Sequence, residues 1–172
     1  MGMQHAAKSR AVAVLLGVVF IVLDQWVKLW ALAALNSDSF HFGGNALRLD
    51  IELHLNPGAF LGLGAALSPQ AKQIILIVGV AAVVCWATWW AFRHWQQALG
   101  KAVAMYAIAL GGVGNLIDRV FREGHVVDYL IVSVGPLHTG VFNIADIAIT
   151  AGAIYLAVES FMPRGRVSGV SS

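Results

Sequence analysis

Four aspartates are the residues of this chain whose type and position could do chemistry: Asp24, Asp118, Asp128 and Asp146. They lie within or beside long apolar runs, where a carboxylate is costly and is a functional candidate unless a partner neutralises it. Asp128 and Asp146 have no basic residue at helical spacing. Two such carboxyl groups brought together share one proton, so one acts as general base and the other as general acid against an amide. The same groups could instead belong to a proton pathway.

The other two aspartates have charged neighbours in the sequence. Lys28 follows Asp24 by four residues, so the two side chains can face each other on a helix, and we expect a structural ion pair. Asp118 is followed by Arg119 and preceded three residues earlier by Asn115. That arrangement is compatible with a charge-satisfied helix end or with a clamp for a substrate.

The elements that must position these residues are predicted to be transmembrane helices. The chain has 172 residues, of which 59% are hydrophobic and 12% are charged. We predict one integral membrane domain over residues 1–172, an all-α fold with four spans at about 11–33, 73–92, 102–117 and 141–162. The first span could be a cleaved secretory signal peptide, but its length and its charged Asp24 and Lys28 favour an uncleaved helix. A formal charge of +2 is too small to indicate a nucleic-acid partner.

Basic residues cluster at one end of the predicted helices, at Lys8, Arg10, Arg93, Lys101, Arg164 and Arg166. Because positive residues favour the cytoplasmic side, we predict that both termini are cytoplasmic. The connections at about 36–72 and 118–140 then face the periplasm or the cell exterior, although Arg119 and Arg122 weaken the contrast. All four aspartates would lie toward this outer face.

The first outer connection contains a strand pattern. Odd positions from Leu47 to Leu55 are apolar and even positions are polar, which predicts a strand whose polar side chains, Arg48, Asp50, Glu52 and His54, point at water. A lone strand leaves its backbone groups unpaired, so we expect pairing with residues 126–134 as a small β element on the outer face.

Three further features have a structural and a functional interpretation. Asn56-Pro57-Gly58 reads first as a turn, with Asn56 facing a substrate as the alternative. The loop histidines lack metal-ligand spacing, so no metal site and no cofactor is predicted. The single cysteine, Cys85, is expected to be a small buried apolar residue.

Five sequence blocks resemble those of the lipoprotein signal peptidases, or signal peptidase II, a bacterial family of four-helix intramembrane aspartyl proteases. In family order they are Asp24-Gln25 with Lys28, Asn56-x-Gly58-Ala59, Gly112-x-Gly114-Asn115-x-x-Asp118-Arg119, Gly124-His125-Val126-Val127-Asp128, and Phe142-Asn143-Ile144-Ala145-Asp146. Each block alone is weak. Together they are highly specific and cover nearly the whole chain.

The resemblance implies roles for named residues. Asp128 and Asp146 would be the catalytic pair, and the residues that contact substrate or support the site would be Asn56, Gly58, Asn115, Arg119, Asn143, Asp24, Lys28 and Asp118. The implied substrate is a prolipoprotein whose lipobox cysteine carries diacylglycerol, cut immediately before that cysteine. Membrane lipids and globomycin-type inhibitors are the other partners that the family implies.

Three positions depart from the family pattern. The family usually places its phenylalanine one position later than Phe60, Tyr129 stands where phenylalanine is common, and Ile147 follows the second aspartate. These changes leave open a divergent paralogue with narrower substrates, or one that binds lipidated peptides without processing them. A proton-coupled carrier is a more distant alternative, because a relay should spread ionisable groups across the whole bilayer.

Overall fold

The computed structural model describes residues 2–36, 38–58 and 68–162. Four helices account for most of them: α1 (Gly2–Ala34), α2 (Pro69–His94), α3 (Leu99–Phe121) and α4 (Ile144–Phe161). All four are long and apolar enough to cross a membrane. The predicted four-helix membrane fold is confirmed, and three of the four helices extend beyond their predicted bounds.

A small antiparallel sheet accompanies the helices. Its strands are β1 (Phe40–Gly43), β2 (Leu47–Asn56), β3 (Val126–Val134) and β4 (Leu137–His138), and they lie side by side in that order. The predicted pairing of β2 with β3 is confirmed, from Leu47 opposite Val134 to Asn56 opposite Val126, with an irregularity between Ile51 and His54. This pairing brings the chain segments around Asn56 and Asp128 together.

One polar residue of β2 does not point at water as the alternating pattern predicts. Asp50 is buried, because His41 of β1 lies directly opposite it and Arg48 reaches back to it. His41 Nδ1 lies 2.7 Å from one carboxylate oxygen of Asp50, and Arg48 Nε donates to the other at 2.9 Å. The pattern identified the face of the strand correctly, but it could not show that neighbouring side chains cover that face.

The third helix is the centre of the bundle, since α3 packs against α1, α2 and α4. Small residues make the close approach possible. A Cβ added to Gly152 of α4 would lie 2.6 Å from the carbonyl oxygen of Ala104, and one added to Gly111 of α3 would collide with the carbonyl oxygen of Ala145. Van der Waals packing across small residues is a main source of helix association in a bilayer, where lipid is as apolar as the side chains.

Two expectations about the helices are wrong. The fourth helix begins at Ile144 rather than near 141, because Asn143 caps it in an extended conformation and residues 141–142 are not helical. Cys85 is exposed on α2, not buried. A helix that is apolar all round gives no pattern from which to predict its inward face. Phe60, Arg164 and Arg166 lie outside the described residues.

Candidate active site

Asn143 is the residue that joins the two central aspartates. It caps α4: its side-chain oxygen accepts from the backbone N–H of Asp146 at 3.0 Å, and the Asp146 carboxylate accepts from the backbone N–H of Asn143 at 3.1 Å. This reciprocal capping box fixes Asp146 in the first turn of the helix. The Asn143 side-chain amide donates to Asp128 at 2.7 Å. One buried asparagine therefore holds both carboxyl groups at a single site.

Asp128 reaches this site from the sheet rather than from a helix. It lies on β3, is 1% exposed, and accepts from Asn143 through one oxygen and from Asn56 Nδ2, at 2.9 Å, through the other. Burial raises the pKa of Asp128, the nearby Asp146 carboxylate raises it further, and the two amide donors oppose the shift. A carboxyl group in this environment holds its proton more readily than one in water.

Asn115 connects the aspartate pair to a buried charged cluster formed by Asp24, Lys28 and Asp118. Its amide donates to Asp146 at 2.7 Å, while its oxygen accepts from Asn143 at 3.1 Å and from Lys28 Nζ at 3.0 Å. Each polar atom of the side chain therefore has a partner. Because an amide has one donor end and one acceptor end, these bonds fix its orientation and so the position of Asp146.

Lys28 is completely buried and fully paired. Its ammonium group contacts Asp24 at 3.0 Å, Asp118 at 2.9 Å and Asn115 at 3.0 Å, which matches its three N–H donors. The expected Asp24–Lys28 pair is confirmed as a contact, and Asp118 joins it. A buried ammonium group is tolerated only with such compensation, since isolated charges in a low-dielectric interior are strongly unfavourable.

Asp118 is charge-satisfied, which decides between the two interpretations that its sequence neighbours left open. Lys28 and the backbone N–H of Val127 donate to one of its oxygens, while Gln25 and Arg122 donate to the other. No oxygen of Asp118 is left for a substrate. Sequence reasoning overlooked Arg122 as a partner, although it follows Asp118 by four residues and so lies on the same helical face.

Asn56 both forms the turn after β2 and contacts the aspartate pair. Its side-chain oxygen accepts from the backbone N–H of Gly58 at 2.8 Å, leaving its amide to donate to Asp128. Gly58 has a φ of +77°, and an added Cβ would lie 2.8 Å from a guanidinium nitrogen of Arg119. The glycine therefore lets this turn approach Arg119, which itself donates to the carbonyl of Gly124 at 2.8 Å.

An open groove of about 690 Å³ runs from this site along α4. Its polar end has Asn56 and Asp146, and its apolar wall is formed by Ile147, Ala151 and Ile154. Tyr129, by contrast, is buried in an apolar cluster with Ala31, Leu35 and Val127. Of the two departures from the family pattern that are described, Ile147 therefore touches the groove and Tyr129 packs in the core.

Within residues 2–36, 38–58 and 68–162, no group of three or more His, Cys, Asp or Glu side chains is arranged to hold a metal ion.

Four apolar helices, together with a buried network of aspartates and asparagines beside a small sheet, define a multi-pass membrane protein with a polar site. A family model described as signal peptidase (SPase) II matches residues 16–162. The chain belongs to the signal peptidase II family, and it is therefore a protease of bacterial membranes.

Individual relatives agree with that assignment. The lipoprotein signal peptidase of Cellvibrio japonicus is 33% identical over 151 residues, covering 88% of this chain and 86% of that protein. The lipoprotein signal peptidase of Cupriavidus taiwanensis is 41% identical over 145 residues, covering 81% and 76%. A solved bacterial membrane enzyme, determined in meso at 1.9 Å resolution, superposes with a TM-score of 0.76 at 26% identity over 90% of this chain and 95% of its own.

Proposed function

We propose that this protein is an aspartyl endopeptidase that removes signal peptides from diacylglyceryl-modified prolipoproteins, cutting immediately before the lipidated cysteine. The observation that carries the proposal is the joining of Asp128 and Asp146 through one buried asparagine, Asn143. Membership of the signal peptidase II family and the names of the relatives support the substrate class.

The pair would act as one acid–base unit. With a single proton between them, held mainly on Asp128, Asp146 takes a proton from the attacking water. Protonated Asp128 polarises the scissile carbonyl as the water oxygen bonds to its carbon. When the intermediate collapses, the C–N bond breaks and a proton from the pair goes to the departing nitrogen. The pair ends with the same number of protons as it began, so it can turn over again.

The remaining site residues have supporting roles in this proposal. Asn56, Asn115 and Asn143 orient the two carboxyl groups, Gly58 brings the turn against Arg119, and Arg119 offers a positive charge near the reacting groups. The buried cluster of Asp24, Lys28 and Asp118 anchors Asn115 from below.

The groove along α4 supports a substrate that is part peptide and part lipid. It is open at the protein surface, polar beside Asp146 and apolar along the helix. A signal-peptide helix and an acyl-anchored cysteine both reside in the membrane, so lateral diffusion could deliver them to such a groove. Globomycin-type inhibitors, which the family implies, would compete for the same space.

The decisive experiment is cleavage of a diacylglyceryl-modified prolipoprotein by purified protein in detergent. Wild type should cut before the lipidated cysteine and should leave the same precursor without diacylglycerol largely uncut. Asp128→Asn and Asp146→Asn should each reduce turnover by at least about a thousandfold, because neither variant can share a proton.

Asp50→Asn is the matched control, since it removes a buried carboxylate of the same sheet outside the pair. It should retain cleavage. Binding of lipidated peptide without cleavage by wild type would favour a non-processing paralogue. The carrier alternative is less supported, because the described acid near the other end of the bundle, Glu159, is paired with Lys101 at 3.3 Å.

A further inference from the structure

A second crevice lies between α1 and α3, in the half of the bundle remote from the sheet. It has a volume of about 570 Å³ and is lined mainly by α1 from Ser9 to Phe20 and α3 from Leu99 to Leu110. Its walls are almost entirely apolar, and neither the charged cluster nor the aspartate pair contributes to its lining. The site proposed above leaves this crevice unexplained.

The dimensions of the crevice match one leaflet of a bilayer. From Ser9 to Phe20 a helix rises about 16 Å. The hydrocarbon core of a bilayer is about 30 Å thick, so half of it is about 15 Å. The crevice is therefore long enough for one extended acyl chain that runs from the membrane surface, at Ser9, toward the middle of the bilayer, at Phe20.

The crevice ends at Ser9, at the end of the bundle that we propose to be cytoplasmic, and Ser9 lies between two basic residues of the chain. Lys8 and Arg10 flank Ser9, and among the residues that the structure describes neither pairs with a carboxylate. The Nε atom of Arg10 is shielded from solvent yet has no hydrogen-bond partner within the same described part of the chain. Trp95 donates to the Ser9 hydroxyl oxygen at 3.0 Å, and among the described residues the Ser9 hydroxyl donates to no other group.

We infer that this crevice is a binding site for an anionic phospholipid, with one acyl chain between α1 and α3 and the phosphate at Ser9 and Arg10. Basic pockets between helices at a membrane surface select anionic head groups, with each Lys or Arg worth roughly fivefold in affinity. The phosphate would give Arg10 Nε an acceptor, which the described residues do not supply. This inference does not depend on the proposed peptidase activity.

Native mass spectrometry of the purified full chain tests the inference. Detergent-solubilised protein is mixed with phosphatidylglycerol or phosphatidylcholine carrying identical acyl chains, and the retained lipid is counted. Wild type should retain phosphatidylglycerol several-fold better. Arg10→Gln should lower that preference by about fivefold, while Lys72→Gln, which removes a positive charge near the start of α2, should not.

A second pair of variants tests the acyl-chain part of the crevice. Ala13→Phe fills the crevice and should abolish retention of both lipids, whereas Val14→Phe places the same ring on the neighbouring exposed position and should retain them. Thermal unfolding of all variants reports whether they fold. Equal retention of the two lipids by wild type, or unchanged lipid retention in Arg10→Gln and Ala13→Phe, would overturn the inference. Occupation of the crevice by a second copy of the chain, seen as a dimer in place of bound lipid, would also overturn it.

Discussion

At the scale of single residues, the site is organised by asparagines that each serve two carboxyl groups or one carboxyl group and a neighbour. Asn143 joins Asp128 to Asp146, and Asn115 joins Asp146 to Lys28. An amide carries no charge, so it can link buried carboxylates without changing the net charge of the site. Each of the two amides donates to an aspartate oxygen, and the Asn143 amide also contacts the Asn115 side-chain oxygen and the Val127 carbonyl.

The raised pKa of Asp128 predicts how stability depends on pH. Because the folded-state pKa lies above the unfolded value of 3.8, the contribution of Asp128 is greatest below that value and is lost as pH rises through the folded pKa. Asp128→Asn removes this loss, so the melting temperature of the variant relative to that of wild type should increase as pH rises. The test is how this difference in melting temperature changes with pH, not its absolute size. The new amide also leaves one donor unpaired, which lowers stability equally at every pH.

Asp50→Asn should show the opposite slope and serves as the control. The hydrogen bond with His41 is the main cause that lowers the pKa of Asp50, so its contribution is present above pH 3.8 and is lost as pH falls through the folded pKa. This variant should be less stable than wild type at neutral pH and should approach it in acid. Parallel slopes for the two variants would contradict both assignments.

Lys28→Met should be strongly destabilising. It leaves Asp24 and Asp118 buried with Arg122 as their one remaining ion-pair partner among the described residues, and breaking such a buried ion pair costs about 3–5 kcal/mol. The double variant Asp24→Asn with Lys28→Met restores neutrality around Asp118 and Arg122, so it should recover part of the lost melting temperature in detergent. If the double variant is no more stable than Lys28→Met, charge balance is not the cause.

At the scale of elements, the site lies where one helix, α4, meets one strand, β3. Different interactions hold the two elements in place. The first turn of α4 is fixed locally by its capping box, whereas β3 is held by its pairing with β2 over most of its length. The backbone N–H of Val127 also donates to Asp118 of α3 at 3.1 Å. This bond ties the sheet to the bundle one residue away from Asp128.

Glycine packing between α3 and α4 sets the position of Asp146. Gly111→Ala would drive a methyl group into the carbonyl of Ala145, so it should lower stability by about 1–3 kcal/mol and reduce cleavage by displacing the adjacent aspartate. Gly79→Ala on α2 is the matched control, because nothing lies within 4 Å of an added Cβ there. Melting temperatures and cleavage rates of the two variants should differ clearly, with Gly79→Ala close to wild type.

At the scale of the whole molecule, the distribution of basic residues is the basis for the membrane orientation that we propose. Both termini would lie in the cytoplasm and the aspartate pair near the periplasmic face of the inner membrane. Two arginines counted against this orientation in the sequence, but both are engaged. Arg122 pairs with buried Asp118, and Arg119 donates to Gly124. Their positions are therefore explained by contacts within the protein.

Cysteine labelling measures this orientation. In a Cys85→Ser background, an Asn45→Cys variant places a thiol on the turn between β1 and β2, and a Gln97→Cys variant places one between α2 and α3. A membrane-impermeant maleimide should label the first in intact spheroplasts and the second only after permeabilisation. The reverse pattern would invert the proposed topology while leaving the fold unchanged.

The sequence by itself determined the features that depend on local pattern. Apolar length predicted the four helices, period-two alternation predicted β2, and the four-residue spacing predicted the contact of Asp24 with Lys28. The bilayer makes these patterns strong, because every unpaired backbone group or lone charge in hydrocarbon is expensive. The motif blocks also identified the family.

Only the tertiary structure decided which distant groups meet. Asp50 is covered by His41, Asp118 is occupied by partners from three segments of the chain, and Asn143 contacts Asp128 across fifteen residues. Cys85 faces outward for the same reason: in a membrane an apolar side chain is stable against protein or lipid, so hydrophobicity does not distinguish the two. Contacts of this kind follow from strand pairing and helix packing, which place residues by their neighbours in space rather than by their spacing along the chain.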